Sequence, residues 1–243
     1  MSSISVIGTG NMASALAGRA LAGGNAVEIV GRDPLRAKEL ATALGGATVG
    51  TVRTAPAGDI VILAVPNASA VPVVAQYGDA LAGKVIIDIT NPVSPDLKGL
   101  VTPDGSSGAQ EIAKAAPAGA HVVKAFNTLP CDVLAAGSVE GRPVDVFVAG
   151  DDAQAKARVS VFIESLGMHP MDAGSCRWRG HWRTPPCCSW ASSPTPSRTP
   201  TSSSASAFSA ERTRTTTSRT SRQSFDGTRT PTPPTRRTVT CAF

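Results

Sequence analysis

Residues 4–13 read ISVIGTGNMA, and this stretch predicts a buried strand that turns directly into a helix. Its glycines and alanine follow the G-x-G-x-x-G/A spacing of dinucleotide-binding turns. Gly8 permits the tight turn, Gly10 lets the backbone approach a pyrophosphate, and Ala13 is small enough for the helix to pack on its strand. The pyrophosphate would lie on the free N–H groups at the start of that helix. The stretch therefore predicts a dinucleotide site, with a purely structural turn as the alternative.

The end of the second strand indicates which dinucleotide is bound. Residues 26–30, AVEIV, form that strand, and Gly31 and Arg32 follow it. Sites for NAD place an acidic residue here, whereas sites for NADP offer a small residue and cations for the 2′-phosphate. Arg32, with Arg36 in the next helix, supplies planar guanidinium groups that bond two phosphate oxygens at once. NADP is therefore favoured over NAD, although Asp33 directly after Arg32 leaves NAD open.

Strand and helix patterns alternate through the following residues. The strand candidates include continuous apolar runs, which are typical of parallel strands covered on both faces. Predicted strands cover residues 59–65, 84–89, 121–125, 144–149 and 169–172, and predicted helices cover 14–21, 67–76 and 153–166. This order predicts an α/β fold with a doubly wound, mostly parallel sheet of the Rossmann type. A ligand is then expected across the carboxyl ends of the strands.

These strand ends are poor in groups that exchange protons. No His, Cys, Lys or carboxylate is expected at the loop tips, because Asp88 and Lys124 precede their loops. Asp88 is expected to accept hydrogen bonds rather than to donate a proton. The amides of Asn67, Asn91 and Asn127 orient a ligand but exchange no proton at neutral pH. The pattern favours hydride transfer between two cofactors, where the protein supplies geometry, and we predict no catalytic residue and no metal site.

The composition changes sharply after Gly174. Beyond it there is no Leu, Ile, Met or Lys, and 11 Arg stand against two carboxylates. The net charge of +5 therefore divides into +9 for this tail and −4 for the rest of the chain. The basic charge is no argument for a nucleic-acid site in the folded part. A small-molecule acceptor is the expected partner, and a nucleic-acid partner is not favoured.

Other features of the sequence bear on its compartment. No signal peptide opens the chain, and no run approaches the roughly 18 apolar residues of a membrane helix. The folded part, residues 4–174, contains one cysteine, Cys131, so no disulfide is expected there. A lone cysteine suits a reducing cytosol. We therefore expect a cytoplasmic protein without a membrane partner.

Several motifs together resemble the NADPH-dependent reductases of coenzyme F420, a deazaflavin. They are GTGNMA, VGRD, VILAVPN, IIDITNPV, KAFNT and VFVAGDDAQAKARVSVFIESLGMHPMDAG. The resemblance covers nearly all of residues 4–174, and it extends more distantly to pyrroline-carboxylate reductases and ferric reductases. It implies hydride transfer between NADPH and the deazaflavin ring, in a homodimer. Relatives of unknown substrate share these motifs, so other acceptors stay open.

The resemblance also implies which residues hold NADPH. On the family pattern the pyrophosphate is held by Thr9, Gly10, Asn11 and Met12, the 2′-phosphate by Arg32, and the nicotinamide side is lined by Val65, Pro66, Asn91 and Asn127. The other predicted cofactor-binding residues are Gly8, Gly31, Arg36 and Ala64. Family members often have Ser where this chain has Gly31.

The tail departs from the family. After the DAG motif the family continues into a Leu-rich helical segment that forms part of the substrate site and the dimer contact, whereas the stretch from Ser175 can form neither. Read one base earlier, Trp and Cys codons become codons for Leu, Val or Met, and residues 179–197 then read as an amphipathic Leu helix. We therefore predict that residues 175–243 are an out-of-frame replacement of the C-terminal helices, disordered or poorly packed.

Two alternatives for the tail stay open, a genuine disordered extension and a basic arm for nucleic acid. The functional prediction accordingly takes two forms. The first is an NADP-dependent oxidoreductase that passes a hydride to a deazaflavin or a similar acceptor. The second is an NADP-binding module without turnover, because the C-terminal helices are absent.

Overall fold

The structure, a computed structural model, describes residues 1–96 and 98–176. Strands and helices alternate along most of these residues. The strands are β1 Ser3–Ile7, β2 Ala26–Gly31, β3 Thr48–Thr51, β4 Ile60–Leu63, β5 Val85–Asp88, β6 His121–Lys124, β7 Ser138–Val139, β8 Arg142–Pro143, β9 Asp145–Gly150 and β10 His169–Gly174. The helices are α1 Asn11–Ala22, α2 Pro34–Leu44, α3 Asn67–Tyr77, α4 Gly108–Ala115, α5 Cys131–Ala136 and α6 Ala153–Ser165, with a 3₁₀ helix at Gly78–Leu81.

Eight of these strands form one sheet, in the order β10-β9-β6-β5-β4-β1-β2-β3. Strands β1 to β6 run parallel, whereas β9 and β10 run antiparallel to them. The direction of winding reverses between β1 and β4, where Ile7 lies between Val30 of β2 and Leu63 of β4. Doubly wound sheets bind their ligands at this switch point. The predicted α/β fold with a doubly wound, mostly parallel sheet is confirmed.

Helices cover both faces of the sheet. Helices α1, α2, α5 and α6 pack on one face, where Leu16 and Phe162 belong to one buried cluster. Helices α3 and α4 pack on the other face, where Val74 and Ile112 belong to a second cluster. Strands β4 and β5 are buried along their whole length, as expected of central parallel strands. Packing on both faces holds the carboxyl ends of the strands at fixed positions.

Five short elements, β3, β7, β8, α4 and α5, are not among the predicted strands and helices. Strand β3 is mostly exposed and lacks an apolar run. Helix α5 spans 6 residues, and strands β7 and β8 form a hairpin of 2 residues each, so none shows a readable period. Helix α4 begins with a capping box in which the backbone N–H of Gln110 donates to Ser107 Oγ and that of Ser107 donates to Gln110 Oε1. That S-x-x-Q signature is readable in the sequence.

Further expectations concern membranes, cysteine and the tail. None of the described helices has both the length and the apolar content needed to cross a membrane. Cys131, the first residue of α5, is disulfide-bonded, so the expectation of no disulfide is wrong for this residue. That expectation considered residues 4–174 alone, although the chain has five cysteines. The predictions for residues 177–243 lie outside the described residues.

Candidate functional site

The turn between β1 and α1 lies at the switch point and is held from both sides. The backbone N–H of Gly8 donates to Val30 O at 2.8 Å, and that of Ala64 donates to Ile7 O at 2.9 Å. Gly8 has a φ of +136°, and a Cβ there would lie 2.0 Å from Ala64 O. Glycine alone satisfies both the backbone angle and the available space. The first glycine of the motif is therefore required by the neighbouring strand, before any ligand is considered.

Two helix N-termini beside the switch point carry no side-chain cap. Helix α1 follows Gly10 and α3 follows Pro66, both without a capping hydrogen bond or an acidic residue in the first turn. In contrast, α2, α4 and α6 are capped by Asp33, Ser107 and Asp152. A Cβ at Gly10 would meet nothing within 4 Å, so the space at the start of α1 is open. Uncapped N–H groups beside open space fit an anion such as a pyrophosphate.

The end of β2 places a cation beside a tightly packed glycine. Gly31 is buried, and a Cβ there would lie 2.8 Å from Thr9 Cγ2. The methyl group of Thr9 therefore occupies the space that a side chain at Gly31 would need. Arg32 follows and is exposed, and none of the described residues pairs with its guanidinium group. This guanidinium is thus available to a phosphate.

Asp33, the residue that left NAD open, is the N-cap of α2. Its Oδ1 accepts hydrogen bonds from the backbone N–H groups of Leu35 at 2.9 Å and Arg36 at 3.4 Å. Its Oδ2 lies 3.7 Å from Arg36 Nε, and both side chains are largely exposed. Capping a helix is sufficient reason for an acidic residue at this position. The presence of this carboxylate is therefore weaker evidence for a ligand of the ribose hydroxyls of NAD.

Asp33→Ala is expected to cost about 1 kcal/mol in the free energy of unfolding, because the cap of α2 is lost. The ratio of the NADPH and NADH affinities is expected to stay unchanged. Urea unfolding and calorimetric titration measure the two quantities. Glu39→Ala, on the exposed part of the same helix, is the control and should change stability by less than about 0.5 kcal/mol. A selective loss of NADH binding in Asp33→Ala would instead assign this carboxylate to the ribose.

Two asparagines join the loops that follow β5 and β6. Asn91 Nδ2 donates to Asn127 O at 3.0 Å, and Asn127 Nδ2 donates to Asn91 Oδ1 at 3.1 Å. Phe126, directly before Asn127, has a φ of +64°, which is uncommon for a bulky residue. Its buried ring packs edge-on against Phe162, with 6.3 Å between the ring centroids. The sharp turn at Phe126 lets the second asparagine meet the first.

A buried ion pair between Asp88 and Lys124 lies at the base of these loops. Lys124 Nζ is 2.9 Å from Asp88 Oδ2, and the two side chains are 13% and 0% exposed. Asp88 also accepts a hydrogen bond from the backbone of Thr90, which agrees with its predicted role as an acceptor. The pairing with Lys124 was not predicted. The signal that could have found it is that each residue ends one of two neighbouring strands.

The predicted cofactor-binding residues all lie along one edge of the sheet, the one formed by the carboxyl ends of the parallel strands. One group follows β1, a second follows β2, a third follows β4, and the two asparagines follow β5 and β6. The five strands are consecutive neighbours, so the residues form a row across the switch point. Such a row has the extent and direction that a dinucleotide needs in this fold.

A cavity of about 320 Å³ involves none of these residues. Its lining includes His121, Asp152 and Cys176. Cys176 Sγ donates to Ala149 O at 3.2 Å, and burial raises the pKa of its thiol to about 11. A thiol with that pKa is protonated at neutral pH and is a poor nucleophile. Among the described residues there is also no group of three or more His, Cys, Asp or Glu placed to hold a metal ion.

Comparison with known proteins identifies the family of this chain. The model of the family described as NADP oxidoreductase, coenzyme F420-dependent, matches residues 3–92, which contain the first turn and the ends of β2, β4 and β5. The solved structure of the hypothetical protein SMa0349 from Sinorhizobium meliloti is 33% identical, with a TM-score of 0.66, and the match covers 72% of this chain and 86% of that protein. The chain belongs to the F420-dependent NADP oxidoreductase family. The resemblance stated from the motifs is confirmed.

Two other relatives show how widely the match extends. The structure of a proposed F420-dependent NADP-reductase from Arthrobacter sp. FB24 is 28% identical, with a TM-score of 0.63, over 71% of this chain and 85% of that one. The metalloreductase STEAP3 of Rattus norvegicus is 31% identical over 172 residues, which are 71% of this chain and 34% of that protein. The chain thus spans about a third of this curated relative. The F420-dependent NADP oxidoreductase family is a family of NADP-dependent enzymes, which agrees with the prediction of NADP from Gly31 and Arg32.

Proposed function

We propose that this chain binds NADPH and transfers a hydride from it to the deazaflavin ring of coenzyme F420. The observation that carries the proposal is the uncapped start of α1 at the switch point, where Gly10 leaves the helix N–H groups open. The family adds the class of acceptor. The exposed Arg32 next to the buried Gly31 supports NADP over NAD.

The residues at this edge would each act on a different part of NADPH. The backbone N–H groups of Asn11 and Met12 would donate hydrogen bonds to the pyrophosphate at the positive end of the α1 dipole. Arg32 and Arg36 would pair with the 2′-phosphate, and Arg32 has the more available guanidinium because Arg36 also faces Asp33. The amides that follow β5 and β6 would orient the nicotinamide.

Hydride transfer between two cofactors requires no acid or base from the protein. NADPH, when bound, supplies a hydride to the deazaflavin ring, and a single proton from water completes the two-electron reduction. Asn91 and Asn127 cannot donate that proton, because amides do not titrate near neutral pH. The strand ends instead hold two rings in a reactive geometry, which by itself contributes a large part of rate acceleration in such reactions.

Turnover is tested with the purified 243-residue chain, NADPH and oxidised F420. The absorbance of both the nicotinamide and the deazaflavin should fall together, and should not fall when either is omitted. A ferric chelate in place of F420 is the comparison acceptor, because one relative is a metalloreductase. Turnover with the chelate but not with F420 would contradict the proposed acceptor and leave the NADPH half of the proposal standing.

Arg32→Ala is expected to weaken NADPH binding by about 10- to 100-fold, the worth of charge-assisted hydrogen bonds to one phosphate. NADH binding should change by less than about twofold, since NADH lacks that phosphate. Titration followed by nicotinamide fluorescence measures both. Lys38→Ala, an exposed cation on α2, is the matched control and should leave both affinities unchanged. An equal loss for NADPH and NADH would remove Arg32 from the proposed phosphate site.

The composition of the tail favours a second candidate, an NADP-binding module without turnover. We infer that residues from about 175 onward are an out-of-frame translation of the family's C-terminal helices, since they lack Leu and Ile altogether. Sequencing the gene across the Gly174 codon tests this inference, and an uninterrupted frame on both sides would contradict it. A chain with the frame restored should gain hydride transfer and the homodimer that the family resemblance implies. The present chain would then bind NADPH alone.

A further inference from the structure

The charges of Asp88 and Lys124 are buried where the proposed mechanism makes no direct use of them. Asp88 ends β5, Lys124 ends β6, and the two residues are partners in the strand register. Their side chains are 0% and 13% exposed, and 2.9 Å separates Oδ2 from Nζ. Removing two charges from water costs several kcal/mol per ion, so such a pair is weak evidence for a gain in stability. A buried pair with this desolvation cost is a candidate for holding the loops that follow β5 and β6 in place.

Both charges act on the backbone of one residue, Thr90. The N–H of Thr90 donates to Asp88 Oδ1 at 2.8 Å, and Lys124 Nζ donates to the carbonyl of Thr90. Thr90 Oγ1 donates to Asn67 Oδ1 at 3.1 Å, which ties this loop to the start of α3. Thr90 is 5% exposed. Its backbone is therefore fixed at both polar groups by a cation and an anion that are themselves fixed in the sheet.

The residue after Thr90 is Asn91, the first member of the amide pair. Its Nδ2 and Oδ1 both engage Asn127, which follows the turn at Phe126. The ion pair thus fixes the backbone from which the Asn91 side chain extends. The packing of Phe126 on Phe162 fixes the backbone from which the Asn127 side chain extends. The loops after β5 and β6 are thus joined to each other by the two asparagines, and the buried ion pair at the ends of β5 and β6 holds them to the sheet.

We propose that Lys124, together with Asp88, is a positioning residue that sets the Asn91–Asn127 amide pair against the nicotinamide. This inference rests on the proposed function, because it assigns a ligand to the amide pair. Lys124 itself does not touch the cofactor. Its charge acts through the carbonyl of Thr90, and the amides then hold the nicotinamide ring in one orientation.

The test compares whole NADPH with its adenosine half, 2′,5′-ADP, which lacks the nicotinamide. The double variant Asp88→Asn with Lys124→Met removes both charges, so neither is left buried and unpaired. Its affinity for 2′,5′-ADP should stay within about twofold of the unchanged chain, while its affinity for NADPH should fall about tenfold, the worth of a misplaced amide pair. Calorimetric titration gives both affinities. A role in folding alone would lower the thermal midpoint and leave the ratio of the two affinities unchanged.

Two further variants keep the inference falsifiable. Asn91→Ala changes an exposed side chain and should reproduce the tenfold loss on its own, with no further loss when it is added to the double variant, because Lys124 acts through Asn91. Glu111→Gln with Lys114→Met removes a partly exposed ion pair on α4 and should change neither affinity. An unchanged ratio in the charge variant or in Asn91→Ala would overturn the positioning role. A wild-type chain that binds 2′,5′-ADP but gains nothing from the nicotinamide would also overturn it, whereas failure to bind either ligand would overturn the proposed function itself.

Discussion

Gly8→Ala is expected to lose more than about 4 kcal/mol in the free energy of unfolding, which is a large fraction of the stability of an ordinary domain. The added Cβ would lie 2.0 Å from Ala64 O, a backbone atom directly after β4. Ala64 is bonded through its N–H to Ile7 O, so it cannot move away without disturbing the pairing of β1 with β4. The φ of +136° adds strain for any residue with a Cβ. Because both effects fall on the central pair of strands, we expect low yield and a strongly lowered urea midpoint.

Gly45→Ala is the matched control for this prediction. Gly45 also has a positive φ, of +73°, yet a Cβ there would meet nothing within 4 Å. It should therefore lose about 1 kcal/mol through backbone strain alone. The difference between the two variants isolates the contact with Ala64 O. If Gly8→Ala unfolded at the same urea concentration as Gly45→Ala, the close approach of the two strands would not be a requirement of the fold.

Gly10→Val is expected to have the opposite effect, with binding lost and the fold kept. The backbone at Gly10 is extended, with a φ of −85°, and the space for a Cβ is open. The branched side chain would occupy the space through which a pyrophosphate reaches the first N–H groups of α1. We expect NADPH binding to fall by more than about 100-fold, equivalent to two charge-assisted hydrogen bonds.

The comparison with NADH makes the Gly10→Val result specific. NADH carries the same pyrophosphate, so it should lose as much affinity as NADPH, unlike the selective loss expected for Arg32→Ala. The thermal midpoint, measured beside the titrations, should change by no more than the small cost of a poorer N-cap residue, about 1 kcal/mol. Retained binding of either dinucleotide would place the pyrophosphate somewhere other than the start of α1.

The central part of the fold could be predicted because its signals are local. The run DIVILAV identifies a fully buried strand, and the spacing of Gly8 and Gly10 identifies the turn before α1. In contrast, β3 contributes an exposed edge with few apolar residues, and no local pattern announces it. Helix α4 carries a local signal at its start, the Ser107–Gln110 capping box.

The sequence predicts a candidate site where the chemistry of one residue type gives the reason, and it does not predict contacts that depend on tertiary packing. Arg32 after a strand suggests a phosphate partner by its chemistry alone. Asp33 leaves NAD open in the sequence, and only its hydrogen bonds to the first turn of α2 identify it as the cap of that helix. The pairing of Asp88 with Lys124 depends on β5 lying beside β6 in register, and the positive φ of Phe126 depends on the packing of its ring. Neither is encoded by neighbouring residues.

The reversal of direction at β9 and β10 separates these two strands from the candidate site. Every residue proposed for NADPH lies between Gly8 and Asn127, at or just after the carboxyl ends of strands that run one way, whereas the last two strands run the other way. The carboxyl ends of β9 and β10 therefore lie on the opposite side of the sheet from the residues proposed for NADPH.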